Sequence, residues 1–340
     1  MIKFARRVQP HVTLDNVDVT GEIKDHLKAF SFTDNISGEA DSVSLTLADR
    51  DGKWRGSQRP KQGSQLKCSF GISTGWDDTK VVSRSIGLFE IDRIRIGGPP
   101  KEISFDALSI PQSSSLSKAQ KTKGWEKANL KKVAGDIARA NDMKLYFSAA
   151  DNPQYDRVDQ EGQTDLSFLM KLCAEASMTL KIADRKLIIM DERKLEEAQE
   201  KLVINEKDKA IKDYSGDSSI TGLYRSCSVR WTDPKTKKSK RYTFTPTKRP
   251  QSNRILYVNE EIKSESAAKK LAMAKLREAN KEAVTFSLKL AGFINIHSGE
   301  TVRLTGFDSF DGKYIATTVS ATLVGGTETS ISLRKVLEGY

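Results

Sequence analysis

Gly71-Ile72-Ser73-Thr74-Gly75 has the glycine spacing that presents a nucleophilic serine on a sharp strand-to-helix turn. That chemistry requires a helix straight after the serine. Here Trp76, Asp77 and Asp78 lead into another strand-like stretch, so an ordinary loop is the better reading and an esterase at Ser73 is the weaker alternative. Gly306 to Tyr314 has the look of a phosphate loop. However, five residues separate Gly306 from Gly312, and Tyr314 stands where a Ser or Thr must bind magnesium, so the segment reads as a hairpin. Asp49-Arg50-Asp51-Gly52 offers two carboxylates without the later acidic positions and terminal Glu of a calcium loop, and a tight turn is expected.

The remaining candidates for chemistry are sparse. His11, His26 and His297 are the only histidines, and none has a second at helical spacing, which argues against a metal site or a histidine base. Cys68, Cys173 and Cys227 are odd in number and widely spaced, so they read as small buried apolar residues rather than disulfide or zinc partners. The pairs Glu196-Glu197 and Glu260-Glu261 point in different directions on a helix and read as solvated charge. The strongest charge feature is Lys235 to Arg249, where Lys235, Lys237, Lys238, Lys240, Arg241, Lys248 and Arg249 surround the strand-like Tyr242-Thr243-Phe244. A basic hairpin of this kind suits phosphate binding. A solvated loop tip that discourages edge pairing explains it equally well.

Three textures divide the chain that must position these residues. From Met1 to about Ile110, apolar and polar residues alternate as in half-buried strands, with Val43, Leu45 and Leu47 on one face and Ser42, Ser44 and Thr46 on the other. In the strand from Ile86 to Ile96 the parity changes between Ile91 and Ile94, which predicts a bulge near Asp92. The middle stretch, 111–201, switches to helical period. Leu130, Val133, Ala134 and Ile137 predict a helix from about Glu126 to Asn141, and Lys144 to Phe147 the strand after it. Thr164 caps a second helix, whose buried stripe is Leu166, Leu169, Leu172, Cys173 and Ala176. A hairpin is expected over Thr179 to Met190, then a polar, exposed helical connector from Asp191 to Lys201. From Leu202 onward strands return, with alternation at Val284, Phe286, Leu288 and Leu290 and again from Ile315 to Leu323. One long helix, capped by Ser264, carries a narrow stripe of Ala268, Leu271, Ala272, Lys275 and Leu276 suited to lying across a sheet. Two β-rich regions around an α/β one suggest a distant duplication.

With 340 residues the chain exceeds one ordinary core and points to two or three domains. Hydrophobic residues make up 37% and charged residues 30%, enough for cores beneath a charged exterior. The net charge of +11 favours nucleic acid, an anionic surface or an acidic partner without choosing among them. No apolar run approaches a membrane span, and Met1 to Val17 has no apolar core of the kind a secretory signal carries. Synthesis in a cytoplasm is expected.

An ordered series of segments resembles the late control D family, the baseplate hub proteins of contractile phage tails and tail-like particles. It begins with Phe30-Ser31-Phe32-Thr33-Asp34, Ser37-Gly38-Glu39-Ala40-Asp41-Ser42 and Leu45-Thr46-Leu47-Ala48-Asp49-Arg50. Gly52-Lys53-Trp54, Pro60, Gly63, Gly87-Leu88-Phe89-Glu90-Ile91-Asp92, Gly98-Pro99-Pro100 and Lys123-Gly124-Trp125 follow in the same order. Gln163-Thr164-Asp165 with Phe168-Leu169 resembles the second-helix motif, which hubs of type VI secretion spikes share in related form. Gln58 replaces an expected second tryptophan. Ser177-Met178 replaces the glycine usual after the second helix, so a differently built turn is expected there.

The resemblance implies a mainly β, α+β chain: two tube-like β-barrel domains, 1–110 and 202–340, with the α/β domain 111–201 between them in sequence. It implies a homotrimeric structural hub without enzymatic activity or cofactors, made in the bacterial cytoplasm and built into a phage tail, tailocin or other contractile injection system. Three chains would present six barrels to the tail tube or tube initiator and a three-fold face to the central spike, with baseplate wedge proteins around them. Trp54, Lys235, Lys237, Lys238, Lys240 and Arg241 are the candidate protein–protein contacts. No stable nucleic-acid binding and no membrane span are expected. A basic nucleic-acid-binding protein using Lys235 to Arg249 is the main alternative.

Overall fold

Strict alternation of apolar residues makes the N-terminal segments strands with one buried face. A computed structural model describes residues 7–56, 58–73, 81–110, 115–232, 237–260, 262, 264–324 and 326–340. The first seven strands are β1 (Arg7–Leu14), β2 (Val17–Asp18), β3 (Leu27–Asn35), β4 (Ser42–Ala48), β5 (Gln65–Ser73), β6 (Val81–Gly97) and β7 (Glu102–Leu108). A short helix, α1 (Thr20–Lys24), lies between β2 and β3. The middle of the chain runs β8 (Gln120–Asn129), α2 (Leu130–Ala140), β9 (Lys144–Ser148), β10 (Gln154–Thr164), α3 (Asp165–Glu175), β11 (Met178–Ala183), β12 (Lys186–Asp191) and α4 (Glu192–Glu197). Then come β13 (Leu202–Asn205), β14 (Ile211–Ser218), β15 (Ser226–Thr232), β16 (Ser239–Phe244), β17 (Ile255–Asn259) and α5 (Glu265–Asn280). The chain ends with β18 (Val284–Ala291), β19 (Thr301–Thr305), β20 (Gly312–Thr322) and β21 (Glu328–Lys335).

The two β-rich regions share one sheet of 13 strands, in the order β14-β18-β21-β20-β3-β4-β7-β6-β5-β1-β2, with β19 beside β20 and β13 beside β19. The joint is β20. Its first residues pair with β19, from Gly312↔Leu304 to Ile315↔Thr301, and its last with β3, from Thr318↔Asn35 to Thr322↔Ser31. The change of partner falls at Thr317, where the register to β21 also slips between Ala316 and Thr318. That bulge interrupts the alternation the sequence showed: the face turned to the C-terminal core carries Tyr314 and Ala316 before it and Val319 after it.

Each β region keeps its own core. Phe30, Phe32, Val43, Leu45, Leu47, Trp54 and Ile91 belong to the first, which Phe293, Ala321 and Leu323 complete from the C-terminal region. Phe293 meets the Phe70 ring edge-on at 4.8 Å. Ile204, Phe286, Leu288, Val302, Tyr314 and Leu333 are among the C-terminal core. The expected bulge in β6 falls between Ile91 and Arg93, and so at Asp92.

Two small α/β layers stand apart from the large sheet. In one, β11-β12-β9 combines an antiparallel and a parallel pair under α2 and α3. In the other, β16-β15-β17 repeats that pattern under α5, with Cys227, Val229 and Trp231 facing Ala268, Ala272 and Leu276. The long helix therefore lies across a sheet of its own. The three cysteines are free and buried, and their apolar surroundings push the thiols up, that of Cys227 to about 11.

Three local expectations need correction. The first helix begins at Leu130, not Glu126. Glu126 to Asn129 continue β8, which pairs with β10, and the Asn129 side chain accepts from Lys132 N at 2.9 Å to start the helix. The turn after α3 keeps the left-handed conformation without glycine, because Ser177 itself takes φ +55°. Finally, α4 is not an exposed connector: Glu192 and Glu196 are buried.

Candidate assembly interface

Asp34, at the end of the Phe30–Asp34 motif, and Asp41, in the Ser37–Ser42 motif, meet Lys181 of β11. The lysine Nζ bonds to Asp34, to Asn35 O at 2.7 Å and to Asp41 at 2.9 Å, with Ser298 Oγ at 3.3 Å. Ser298 donates from its backbone N to Asp34 at 3.1 Å. One ammonium thus ties the N-terminal sheet, the middle layer and the loop before β19 together. Burial opposes ionisation of Asp34, but the Lys181 ammonium and the hydrogen bonds from Lys181 and Ser298 outweigh it and hold that carboxyl well below the usual range. Asp41 goes the other way: burial, together with the Asp34 charge, exceeds the pull of Lys181 and raises it to about 6. Arg84 of β6 closes the cluster, donating to Asn295 Oδ1 at 2.8 Å, Ile296 O at 3.0 Å and His297 Nδ1 at 2.9 Å while stacking on Phe293.

A second knot joins α4, α5 and β21. Glu196 accepts from Arg277 Nη2 at 2.9 Å and from Arg334 Nη1 at 2.7 Å, and Glu192 stands 3.1 Å from Arg334 Nη2. Arg277, Arg334 and Glu196 are each 2–3% exposed. Two carboxylates and two guanidiniums neutralise one another, which is what permits four charges in a dry site. The reading of Glu196-Glu197 as solvated charge therefore fails at Glu196. Only Glu197 faces water.

The other motifs also hold the chain together. Asp165, 2% exposed, accepts from Lys121, from Asn141 Nδ2 at 3.0 Å and from Gln160 Nε2 at 3.1 Å. Thr164 caps α3 through Ser167 N at 3.2 Å. Trp125 stacks on Phe168 with centroids 5.5 Å apart. Asp49 accepts from Trp54 N at 2.9 Å and Arg55 N at 3.1 Å, making the tight turn expected in place of a calcium loop.

The proposed contact residues fall in different places. Trp54 is 2% exposed and packs inside the first core of this chain. Lys235 lies outside the described residues. Lys237 and Lys238 are exposed between β15 and β16. Lys240 stands opposite Trp231 on the side of α5, and Arg241 stands opposite Arg230 on the other side of the sheet. Ser73 is 4% exposed, at the end of a strand whose antiparallel neighbour is β6, opposite Val81. That is the pairing of a hairpin, not of a strand–helix elbow; Thr74 and Gly75 lie outside the described residues. Gly306 to Tyr314 joins β19 to β20 as a hairpin. Among the described residues no cluster of three His, Cys, Asp or Glu is placed to hold a metal, and no helix is long and apolar enough to cross a membrane.

Residues 92–326 match the family described as phage tail baseplate hub (GPD). The chain belongs to that family. A probable baseplate hub protein of Escherichia phage 186 is 25% identical over 280 residues, covering 79% of this chain and 67% of that protein. Its counterpart in Escherichia phage P2 is 25% identical over 178 residues, covering 52% of this chain and 43% of that protein. The chain thus spans about two thirds of one relative and less than half of the other. The fold is similar to that of the tail protein from Neisseria meningitidis MC58, with a TM-score of 0.72 over 97% of each chain at 12% identity. The chain is accordingly a baseplate hub of phage-tail type, and Asp34 and Asp41 of its motifs lie at the joint between the N-terminal sheet and the middle layer. The two buried knots escaped sequence reasoning. The one available signal was the Glu192/Glu196 spacing on one helical face, whose arginine partners lie 81 and 138 residues away.

Proposed function

We propose that this chain is the adaptor of its baseplate: a homotrimer in which two β-rich domains per chain, 1–110 and 202–340, each curl into a tube-like barrel. Three copies then present six barrels to a six-fold tail tube and a three-fold face to a central spike, with wedge proteins outside. The observation that carries the reading is the partner switch of β20 at Thr317, which sets the two β regions side by side in one sheet. Side-by-side units of one chain are what a pseudo-six-fold ring of three copies requires, since a heterologous contact closes when its rotation divides the circle evenly. Separate cores on each side of that joint support two barrels rather than one. The reading assigns the chain no catalysis and no cofactor. Averaged images of intact particles, or of the chain co-expressed with its spike, test it. Three copies at the tube–spike junction with both β regions in one ring are expected. Six copies, or one β region lying outside the ring, would refute it.

A further inference from the structure

Residues 219–259 hold ten of the Lys and Arg residues and one acidic residue, so this short stretch carries +9 of the net +11. It contains the whole β16-β15-β17 sheet. One face of that sheet is covered by α5. By register the other face carries Ser226, Ser228 and Arg230 on β15, Arg241 and Thr243 on β16, and Ile255 and Tyr257 on β17. Ser228, 4% exposed in the middle strand, and the exposed Thr243 bond to each other at 3.1 Å and form its floor. Around it stand Arg230 and Arg241, both exposed, with Ile255 at 39% and Tyr257 at 71% exposure. Where β15 and β17 begin, Arg225, Arg249 and Arg254 line a hollow of about 560 Å³, with Ile220 69% exposed beside it. Among the described residues, none of these five guanidiniums has a carboxylate within ion-pair distance.

We propose that the bare face of β15–β17 docks an acidic segment of a neighbouring protein, one whose Asp and Glu side chains flank apolar residues. This deepens the hub reading and rests on it only for placing that neighbour in the same particle. The composition favours a protein. Arg and Tyr are the residues that interfaces and their hot spots favour, whereas Lys is depleted there. The lysines of this region gather instead at the β15–β16 turn, where Lys237 and Lys238 are exposed. Guanidiniums pair with carboxylates through two parallel hydrogen bonds and keep their charge when dehydrated. A single-stranded nucleic acid would want successive aromatic rings to stack on. Tyr257 is the one aromatic on the described outer face, and its exposed neighbour is the aliphatic Ile255.

The test uses the purified chain and a fluorescein-labelled Glu-Ile-Glu-Tyr-Glu-Ile-Glu peptide, read by fluorescence anisotropy against oligoglutamate and oligothymidine of comparable charge. The chain should bind the mixed peptide more tightly than either competitor. The Arg230→Glu/Arg241→Glu variant should weaken binding by about tenfold or more, as expected when paired charges are reversed, and Tyr257→Ser should weaken it as well. Lys207→Glu/Lys209→Glu changes the net charge by the same amount at two exposed lysines outside this layer and should leave binding within about twofold, charges beyond a Debye length being largely screened by salt. Equal losses in the two double variants would show a response to net charge only and overturn the docking face. Tighter binding of oligothymidine would overturn a protein occupant, and failure to bind the peptide would overturn the proposal altogether. None of these results depends on copy number in the particle, so the hub reading stands or falls separately. Unchanged circular dichroism of each variant keeps misfolding from imitating a loss.

Discussion

Glu196→Gln isolates the buried knot with little change in shape. The native site balances Glu192 and Glu196 against Arg277 and Arg334; the amide removes one negative charge and leaves a net positive charge among groups 2–8% exposed. Removing one partner of a buried ion pair costs about 3–5 kcal/mol, because the remaining charge stays dehydrated. Glu192 offsets part of this. It keeps its 3.1 Å contact with Arg334, though it reaches Arg277 only at 3.9 Å, so a loss of about 3 kcal/mol is expected. The neighbouring Glu197→Gln is the internal control: that side chain faces water, and such substitutions usually fall within about 0.5 kcal/mol. A chain with several cores does not unfold in one step, so the loss is best read locally. Hydrogen exchange of the α4, α5 and β21 amides should accelerate in Glu196→Gln and stay unchanged in Glu197→Gln. Indistinguishable exchange in the two variants would refute the claim that the knot holds these elements together.

The Asp34–Asp41–Lys181 cluster predicts a pH response. Because Asp41 is raised to about 6, the folded chain binds its proton more readily than the unfolded chain. Stability from this group therefore grows as pH falls from about 7 towards 5, and the gap to an ordinary carboxylate corresponds to about 3 kcal/mol. Asp34 is depressed, so its contribution is present above the ordinary carboxylate range and is lost as the solution becomes more acidic. Thermal melting across this range should show the rise in the native chain and not in Asp41→Asn; identical profiles would refute the assignment. Ser177→Gly should raise stability by about 0.5 kcal/mol, since glycine accepts the φ of +55° without the penalty a Cβ imposes there, less its greater freedom when unfolded. A lower melting temperature would mean that the serine contributes something its backbone conformation does not reveal.

Period and punctuation made much of this protein legible in its sequence. Alternation at Val43, Leu45 and Leu47 showed which face of β4 is buried, and the parity change between Ile91 and Ile94 announced the bulge near Asp92. Thr164 and Ser264 announced the starts of α3 and α5 because each cap is satisfied by an amide three residues on. Ordered motifs gave the family. These are short-range signals, or signals of one face repeated along one element.

What tertiary structure alone decided is how distant segments meet. Nothing local in Gly312–Thr322 says that it leaves β19 for β3 at Thr317, because both halves offer the same backbone groups. Only its spacing from Glu192 sets Glu196 apart from Glu197 in the sequence; one is buried and the other wet because Arg277 and Arg334 arrive from other layers. Asp34 and Asp41 likewise acquire opposite ionisation tendencies only once Lys181 and the 295–298 loop surround them. Pattern along the chain specifies the elements, whereas Coulomb energies and dehydration act through space, so the joints became visible only when the layers were packed.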